Sequence, residues 1–330
     1  VRIGIDAMGG DLAPKVEVAG AIAARRFLSP NDRIVLVGRQ DAVMEQLAGC
    51  DGWDEFIEVR HAEQVIGMNE KPVEALRAKP DSSLASLIRL HAGKQLDAVI
   101  SAGNTGAYVA AAQMGLGKLA GVHRPGIAIV TPTFHGPVAL CDVGANVNCR
   151  PQHLHQYAVM SRVYLNAIYN LENPRVGLLN VGEEDAKGNE LVKNARKLLR
   201  GDPKINFIGN VEGRDLFAGT CDAIICDGFV GNVMLKLIEG MADSLVRGLL
   251  DQFAQLMPNQ PDSLRQAGVK MMKKYDYNEY GGAPLLGVEG ICIICHGANN
   301  ANGITNAVRV AAEFSKHQVN QQITQLLSKP

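Results

Sequence analysis

An α/β fold with a mostly parallel sheet covered by helices on both faces is what this sequence predicts, and three observations carry the prediction. Short apolar runs of strand length alternate with longer stretches of helical periodicity along most of the chain. That alternation marks parallel strands joined by helical crossovers. With 330 residues, 47% hydrophobic and 20% charged, the chain buries a large core and lacks the apolar depletion of disordered proteins. The segments that leave the strands carry Gly with Asn, Asp or His, residue types suited to tight turns at a ligand-binding sheet edge.

In chain order, "RIGI" reads as the first strand, with a helix from about Pro14; "RIVLVG" is the second, with a helix over Asp41 to Leu47; "FIEVRHA" is the third. The helical pattern "SSLASLIRLHAGK" leads into the strand "LDAVI", followed by "GIAIVTP" and "VALCDV". A helix from Pro151 to Tyr169, the strand "RVGLLNV", a helix near Lys187 to Leu199, the strands "INFIG" and "CDAIICD", and further helices around the strand "ICII" complete the series. No repeat, low-complexity tract or clear linker interrupts it. Residues 1–330 therefore read as one α/β domain, or as two lobes sharing a sheet.

One segment departs from the alternation. From Phe229 to about Tyr275 no strand pattern is present, and Leu245, Val246, Leu249, Leu250, Phe253, Leu256 and Met257 fall on one helical face. Pro258 and Pro261 interrupt it, and a second stretch carries Met271 and Met272 beside Arg265, Lys270, Lys273 and Lys274. Residues 241–275 are expected to form a helical hairpin projecting from the sheet. Its stripe packs either on the core or against an outside partner, and the basic, Met-rich helix suits an acidic protein or an anionic membrane surface.

Bulk properties exclude several classes. A formal net charge of −1 gives no case for nucleic acid. No apolar run approaches the ~20 residues of a membrane span, and the first residues read as a strand, not a signal peptide, so a soluble, cytoplasmic protein is expected. Seven cysteines, an odd number in apolar stretches, suit reduced thiols.

Six strand ends are decorated: "DAMGGD", "SAGNTG", "DVGANVN", "NVGEEDAKGNE", "CDGFVGN" and "HGANNANG". In a parallel sheet all six would face one crevice, where a helix N-terminus and close-approaching glycines suit an anion. A dinucleotide fingerprint, a phosphate loop of the lysine type and a nucleophile elbow are absent. "CIICH" matches a haem-attachment pattern, but it sits in an apolar strand and its cysteines read as core. His153 and His155 point to different faces of their helix, which disfavours a shared metal. The crevice cations are Lys187, His296 and Arg150. Its acids, Asp6, Asp11, Asp142, Glu183, Glu184 and Asp227, suit helix caps, donor orientation or a divalent ion. The residues alone lead to an α/β enzyme with a phosphate-like anion in its crevice.

At these positions the sequence resembles a known family. "IDAMGGDLAP", "SAGNTGA", "DVGANV", "LLNVGEEDAKGNEL", "CDGFVGNVMLK", "YGGAPLLG" and "HGAN" are similar, in order and spacing, to the bacterial phosphate acyltransferases of phospholipid synthesis, the PlsX family. The resemblance implies a three-layer α/β/α fold like that of isocitrate dehydrogenases and phosphotransacetylases, a homodimer, and peripheral association with the cytoplasmic membrane. It also implies conversion of long-chain acyl-acyl-carrier-protein and inorganic phosphate into acyl phosphate and free acyl carrier protein, with the product passed to a glycerol-3-phosphate acyltransferase. No cofactor and no metal are expected. A phosphotransacetylase-like enzyme using acyl-coenzyme A, a metal-dependent decarboxylating dehydrogenase of the same fold and a membrane-recruited scaffold remain alternatives.

On this reading the catalytic residues are Lys187, His296 and Asn104. Lys187 supplies charge, and His296 or Asn104 donates to the carbonyl oxygen as it turns anionic. Phosphate and substrate are expected to meet Asp6, Gly9, Gly10, Ser101, Gly103, Thr105, Gly106, Asn146, Glu183, Asp227 and Asn232. Leu249, Phe253, Lys270, Lys273 and Lys274 are expected to contact membrane or carrier protein. Cys141 and Cys226, at strand ends, are the candidate nucleophiles of a competing acyl-enzyme route.

Overall fold

Eleven strands line up in one sheet in a computed structural model of the chain, which describes residues 1–256, 266, 268 and 279–328. β1 (Arg2–Asp6), β2 (Arg33–Gly38), β3 (Ile57–His61), β4 (Ala98–Ser101), β5 (Gly126–Thr133) and β6 (Gly136–Cys141) lie where the apolar runs place them. So do β7 (Arg175–Leu179), β8 (Asn206–Val211), β9 (Ala223–Ile225) and β11 (Cys292–Ile294). β10 (Ala283–Leu286) and the short helix α3 (Pro72–Ala78) are additions.

The remaining helices are α1 (Lys15–Ala23), α2 (Gln40–Leu47), α4 (Ser83–Ala92), α5 (Thr105–Gly115), α6 (Pro151–Tyr169) and α7 (Glu190–Gly201), then α8 (Gly228–Leu256), α9 (Ala301–Lys316) and α10 (Val319–Ser328). They form layers on both faces. Val18 and Ala21 of α1 pack with Ile304 and Val308 of α9 over Ile3, Ile5 and Ile34 of the sheet. On the opposite face Leu84 and Leu87 of α4 and Tyr108 of α5 cover Val35 and Val99. In the other half α6 inserts Tyr157, Met160 and Tyr164 beside Val176 and Ile225.

The strand order is β3-β2-β1-β4-β11-β10-β5-β6-β9-β7-β8. β3, β2, β1, β4 and β11 run parallel, and so do β6, β9, β7 and β8. Between the two sets β10 is antiparallel to both of its neighbours, and β5 is antiparallel to β6. The two parallel sets therefore run in opposite senses. The ends of β1, β4 and β11 leave one edge of the sheet, and those of β6, β7 and β9 leave the other. This corrects the expectation of six turns on a single edge. The cause is the β5–β6 hairpin: only Phe134 and His135 separate the two strands, whereas a parallel crossover needs a dozen residues or more.

α8 is continuous through the first arm of the expected hairpin and begins directly after β9. Met234, Leu235 and Ile238 pack against the core, whereas a second apolar stripe faces outward: Phe229, Val233, Leu237, Met241, Leu245, Leu249 and Phe253 are all exposed, at 42–63% of their surface. Most of the second arm, with Lys270, Lys273 and Lys274, lies outside the described residues. No described helix is long and apolar enough to cross a membrane.

Candidate active site

The first edge is tightly closed on itself. Ser101 Oγ donates to Asp6 Oδ2 at 2.8 Å and accepts the Gly103 N–H at 3.1 Å. Asp6 Oδ1 accepts the Met8 N–H, and the Asp11 N–H reaches the Gly297 carbonyl. Gly9 is present because the turns touch: a Cβ there would sit 2.7 Å from Gly103 N, which no side chain tolerates. The amides of "DAMGGD" expected to cradle phosphate are thus largely spent on the protein's own oxygens. Two buried acids lie beneath them. Burial raises the Asp6 carboxyl and pushes Glu17 up to about 7, with Asp6 and Asp11 adding repulsion at Glu17. Oε2 of Glu17 has no hydrogen-bond partner among the described residues. A dianion bound above these acids would favour their neutral forms further.

Glu17 escaped the sequence reading because it sits one residue from the apolar Val18 in a helix and resembles a solvated acid. It makes stability pH-dependent. A carboxyl whose folded midpoint lies near 7 rather than 4.5 binds its proton more tightly in the folded state. The contribution of Glu17 is therefore full below about pH 4.5 and is lost as pH rises through 7, by about 3 kcal/mol. Glu17→Gln is expected to remove most of this decline and to be the more stable protein at pH 8 in urea titrations. A parent and variant with the same pH slope would refute the assignment.

Asn104 is also committed. Its Oδ1 accepts the Ala107 N–H at the start of α5, and its Nδ2 donates to the carbonyls of Gly67, Met68 and Glu70 at 3.0–3.2 Å. An amide so held has no hydrogen left for a substrate oxygen, which corrects the catalytic role expected for it. Thr105 and Gly106 at the helix start are exposed. His296 is exposed, and its Nδ1 accepts the Ala298 N–H.

The second edge is built around Asp142, which is fully buried. Its Oδ1 accepts the N–H groups of Ile127, Gly144 and Ala145, and Oδ2 that of Asn146, at 2.8–3.0 Å. Burial still raises this carboxyl, with the four donors pulling the other way. Asn146 relays the order: Nδ2 meets Tyr157 Oη at 2.9 Å, and its carbonyl takes the Gly228 N–H at 2.9 Å. Asp227 Oδ1 caps α8 through the Phe229 and Val230 N–H groups, and Asn232 lies beside Gly144. On the same edge Asn210 Nδ2 holds the carbonyls of Glu183 and Glu184, and Lys187 stands exposed in that loop.

Lys187 thus belongs with Asn146, Glu183, Asp227 and Asn232. His296 and Asn104 belong with Asp6, Gly9, Gly10, Ser101, Gly103, Thr105 and Gly106. β1 and β7 are seven strands apart in the sheet, roughly 34 Å at ~4.8 Å per strand. One chain therefore does not bring Lys187 to a phosphate lying on "DAMGGD", a second correction. Among the described residues no three His, Cys, Asp or Glu side chains are placed to hold one ion. Cys141 and Cys226 are buried, and burial holds both thiols well above the ordinary range, the opposite of an activated nucleophile.

This arrangement of layers is shared with a class of acyl- and phosphate-handling enzymes. A phosphotransacetylase from Streptococcus pyogenes superposes with a TM-score of 0.64 at 14% identity, over 96% of this chain and 94% of that one. A branched-chain phosphotransacylase from Enterococcus faecalis gives 0.59 at 11% identity, over 96% and 99%. Such identities show a common fold. The sequence is more specific. A family model described as "Fatty acid synthesis protein" matches residues 1–322. A protein of Geotalea uraniireducens named "Phosphate acyltransferase" is 45% identical over 100% of this chain and 95% of its own length. One of the same name from Acidobacterium capsulatum is 47% identical over 97% and 95%. The chain belongs to the phosphate acyltransferase family.

Proposed function

We propose that this chain transfers an acyl group from an acyl-acyl-carrier-protein thioester to inorganic phosphate, releasing acyl phosphate and free carrier protein for phospholipid synthesis. The observation that carries the reading is full-length similarity to proteins named "Phosphate acyltransferase". The second edge of the sheet is the proposed reaction centre. A phosphate oxygen forms the new bond to the acyl carbon, the carbon–sulfur bond breaks, and the electron pair leaves on the thiolate. Phosphate is already nucleophilic and a thiolate leaves readily, so holding the reactants in line and offsetting charge carry the catalysis. The high thiol pKa values of Cys141 and Cys226 favour this direct attack over an acyl-enzyme.

Phosphorus NMR with a long-chain acyl-carrier thioester and phosphate tests the reaction. A new acyl-phosphate signal is expected, and its absence with active substrates would refute the reading. Acyl-coenzyme A in a parallel tube separates the carrier-dependent enzyme from a phosphotransacetylase. Lys187→Ala is expected to raise KM for phosphate about tenfold while KM for the thioester stays near the parent value. An unchanged phosphate KM would remove Lys187 from the site.

The exposed stripe of α8 starts at the reaction centre with Phe229 and runs outward. We assign its outer part, Leu249 and Phe253, to peripheral contact with an anionic membrane surface, in a protein that acts as a homodimer. Leu249→Glu is expected to reduce co-flotation with anionic liposomes severalfold, and parent-like flotation would count against the contact.

A further inference from the structure

A basic group stands beside the second edge that the sequence reading did not assemble, because its members come from two separate segments. Lys118, His123 and Arg124 lie in the loop before β5, and Arg150 and His153 lie at the start of α6. The two segments are fastened together. The His123 N–H donates to Gln156 Oε1 at 2.8 Å, Gln156 Nε2 donates to the Gly121 carbonyl at 2.7 Å, and Lys118 Nζ donates to the His123 carbonyl at 3.1 Å.

The centre of the group is His153, 8% exposed, with its ring 6.2 Å from that of His123. Its Nδ1 accepts the Arg150 N–H at 3.1 Å, so the neutral ring carries its proton on Nε2. Burial lowers its pKa first, and the charges that lower it further are His123, Arg124, Arg150 and Lys118. Lys118, His123, Arg124 and Arg150 are exposed. An acid that the backbone places alongside is Glu289, exposed, whose N–H meets the Gly117 carbonyl.

Like charges gathered around a buried imidazole repel one another, and a bound anion relieves that repulsion while offering the planar guanidinium groups a pair of oxygens to bond in bidentate fashion. The connection to the reaction centre is direct: Asn146 Nδ2 donates to the carbonyl of Pro125, next to Arg124, while the Asn146 carbonyl holds the first turn of α8. We propose that Lys118, His123, Arg124, Arg150 and His153 form a binding site for a phosphoryl oxyanion used in the reaction. The site rests on the acyltransferase reading for the identity of its ligand. Two sources share that chemistry, inorganic phosphate and the phosphodiester that links a thiol-bearing arm to its carrier protein.

Calorimetric titration without any thioester separates them. Parent protein, the double variant Lys118→Gln/Arg124→Gln, the single variant Arg150→Gln and the control Lys193→Gln are each titrated with inorganic phosphate. The same proteins are titrated with carrier protein bearing its phosphopantetheine arm and with carrier lacking it. Both exposed-residue variants are expected to weaken inorganic phosphate at least tenfold while the control binds as the parent does. Weakening confined to the arm-bearing carrier would support the site with the phosphodiester as its ligand. Variants that bind every probe like the parent, or a parent that binds neither phosphate nor arm-bearing carrier, would overturn the proposal. The titration reads binding alone, so failure to form acyl phosphate would count against the acyltransferase reading and leave the site standing.

Discussion

Asp142→Asn is expected to lower the stability of the fold by about 2–4 kcal/mol and to remove most of the phosphate-dependent activity. The side chain is fully buried and each of its oxygens is occupied. Asparagine keeps one acceptor, and in either orientation its NH2 faces backbone N–H groups that have no alternative partner. If Oδ1 keeps Ile127, Gly144 and Ala145, the Asn146 N–H is left facing a donor, and a buried unmet donor costs about 1–3 kcal/mol on its own. The damage then passes along the chain. Asn146 fixes Tyr157 on one side and the Gly228 N–H of α8 on the other, so loosening it moves the helix that starts at the reaction centre. For 330 residues the loss corresponds to about 3–6 °C in melting temperature. Thermal denaturation of parent and variant checks this, and an unchanged midpoint would show that the four contacts are dispensable.

Much of this architecture was legible in the sequence for identifiable reasons. α6 runs from Pro151 to Tyr169 as read, since Pro151 suits a first helical position and Asn170 takes the left-handed conformation, φ 56°, that ends it. Strands buried on both faces, such as "RIVLVG", announced themselves as unbroken apolar runs. β10 did not, because it is four residues long, follows two glycines and includes Pro284, which has no N–H for a ladder.

The division into two edges is encoded in the spacing of two strands. "GIAIVTP" and "VALCDV" have no helix between them, so they had to form a hairpin, and a hairpin reverses the sense of every strand paired beyond it. The decorated turns were correctly placed at strand ends, but their residue types have two uses. Asp6, Asp142 and Asp227 mostly satisfy the backbone of their own turns, whereas Asn104 and Asn146 tie their turns to neighbouring segments. The basic group required knowing which loops become neighbours, which no local pattern encodes.

Gly231→Ala is expected to be severely destabilising, by about 3 kcal/mol or more, although it replaces a helical glycine with the residue of highest helix propensity. Gly231 lies in the first turn of α8, where a Cβ would fall inside the van der Waals radius of the Asp142 carbonyl oxygen and 2.9 Å from Cys226 Sγ. That oxygen belongs to the residue whose side chain is held by four backbone N–H groups, so it has little freedom to yield. Further along the same helix, a Cβ at Gly240 meets nothing within 4 Å, and Gly240→Ala is expected to stabilise by about 0.5–1 kcal/mol. Helix propensity is common to both substitutions, and the packing partner is not. Opposite signs in denaturant titrations would show that α8 is held at its root by close contact with the Asp142 turn and is open along its length. Gly231→Ala as stable as the parent would mean that α8 does not lie against that carbonyl, and that the second edge lacks the geometry on which the proposed reaction centre depends.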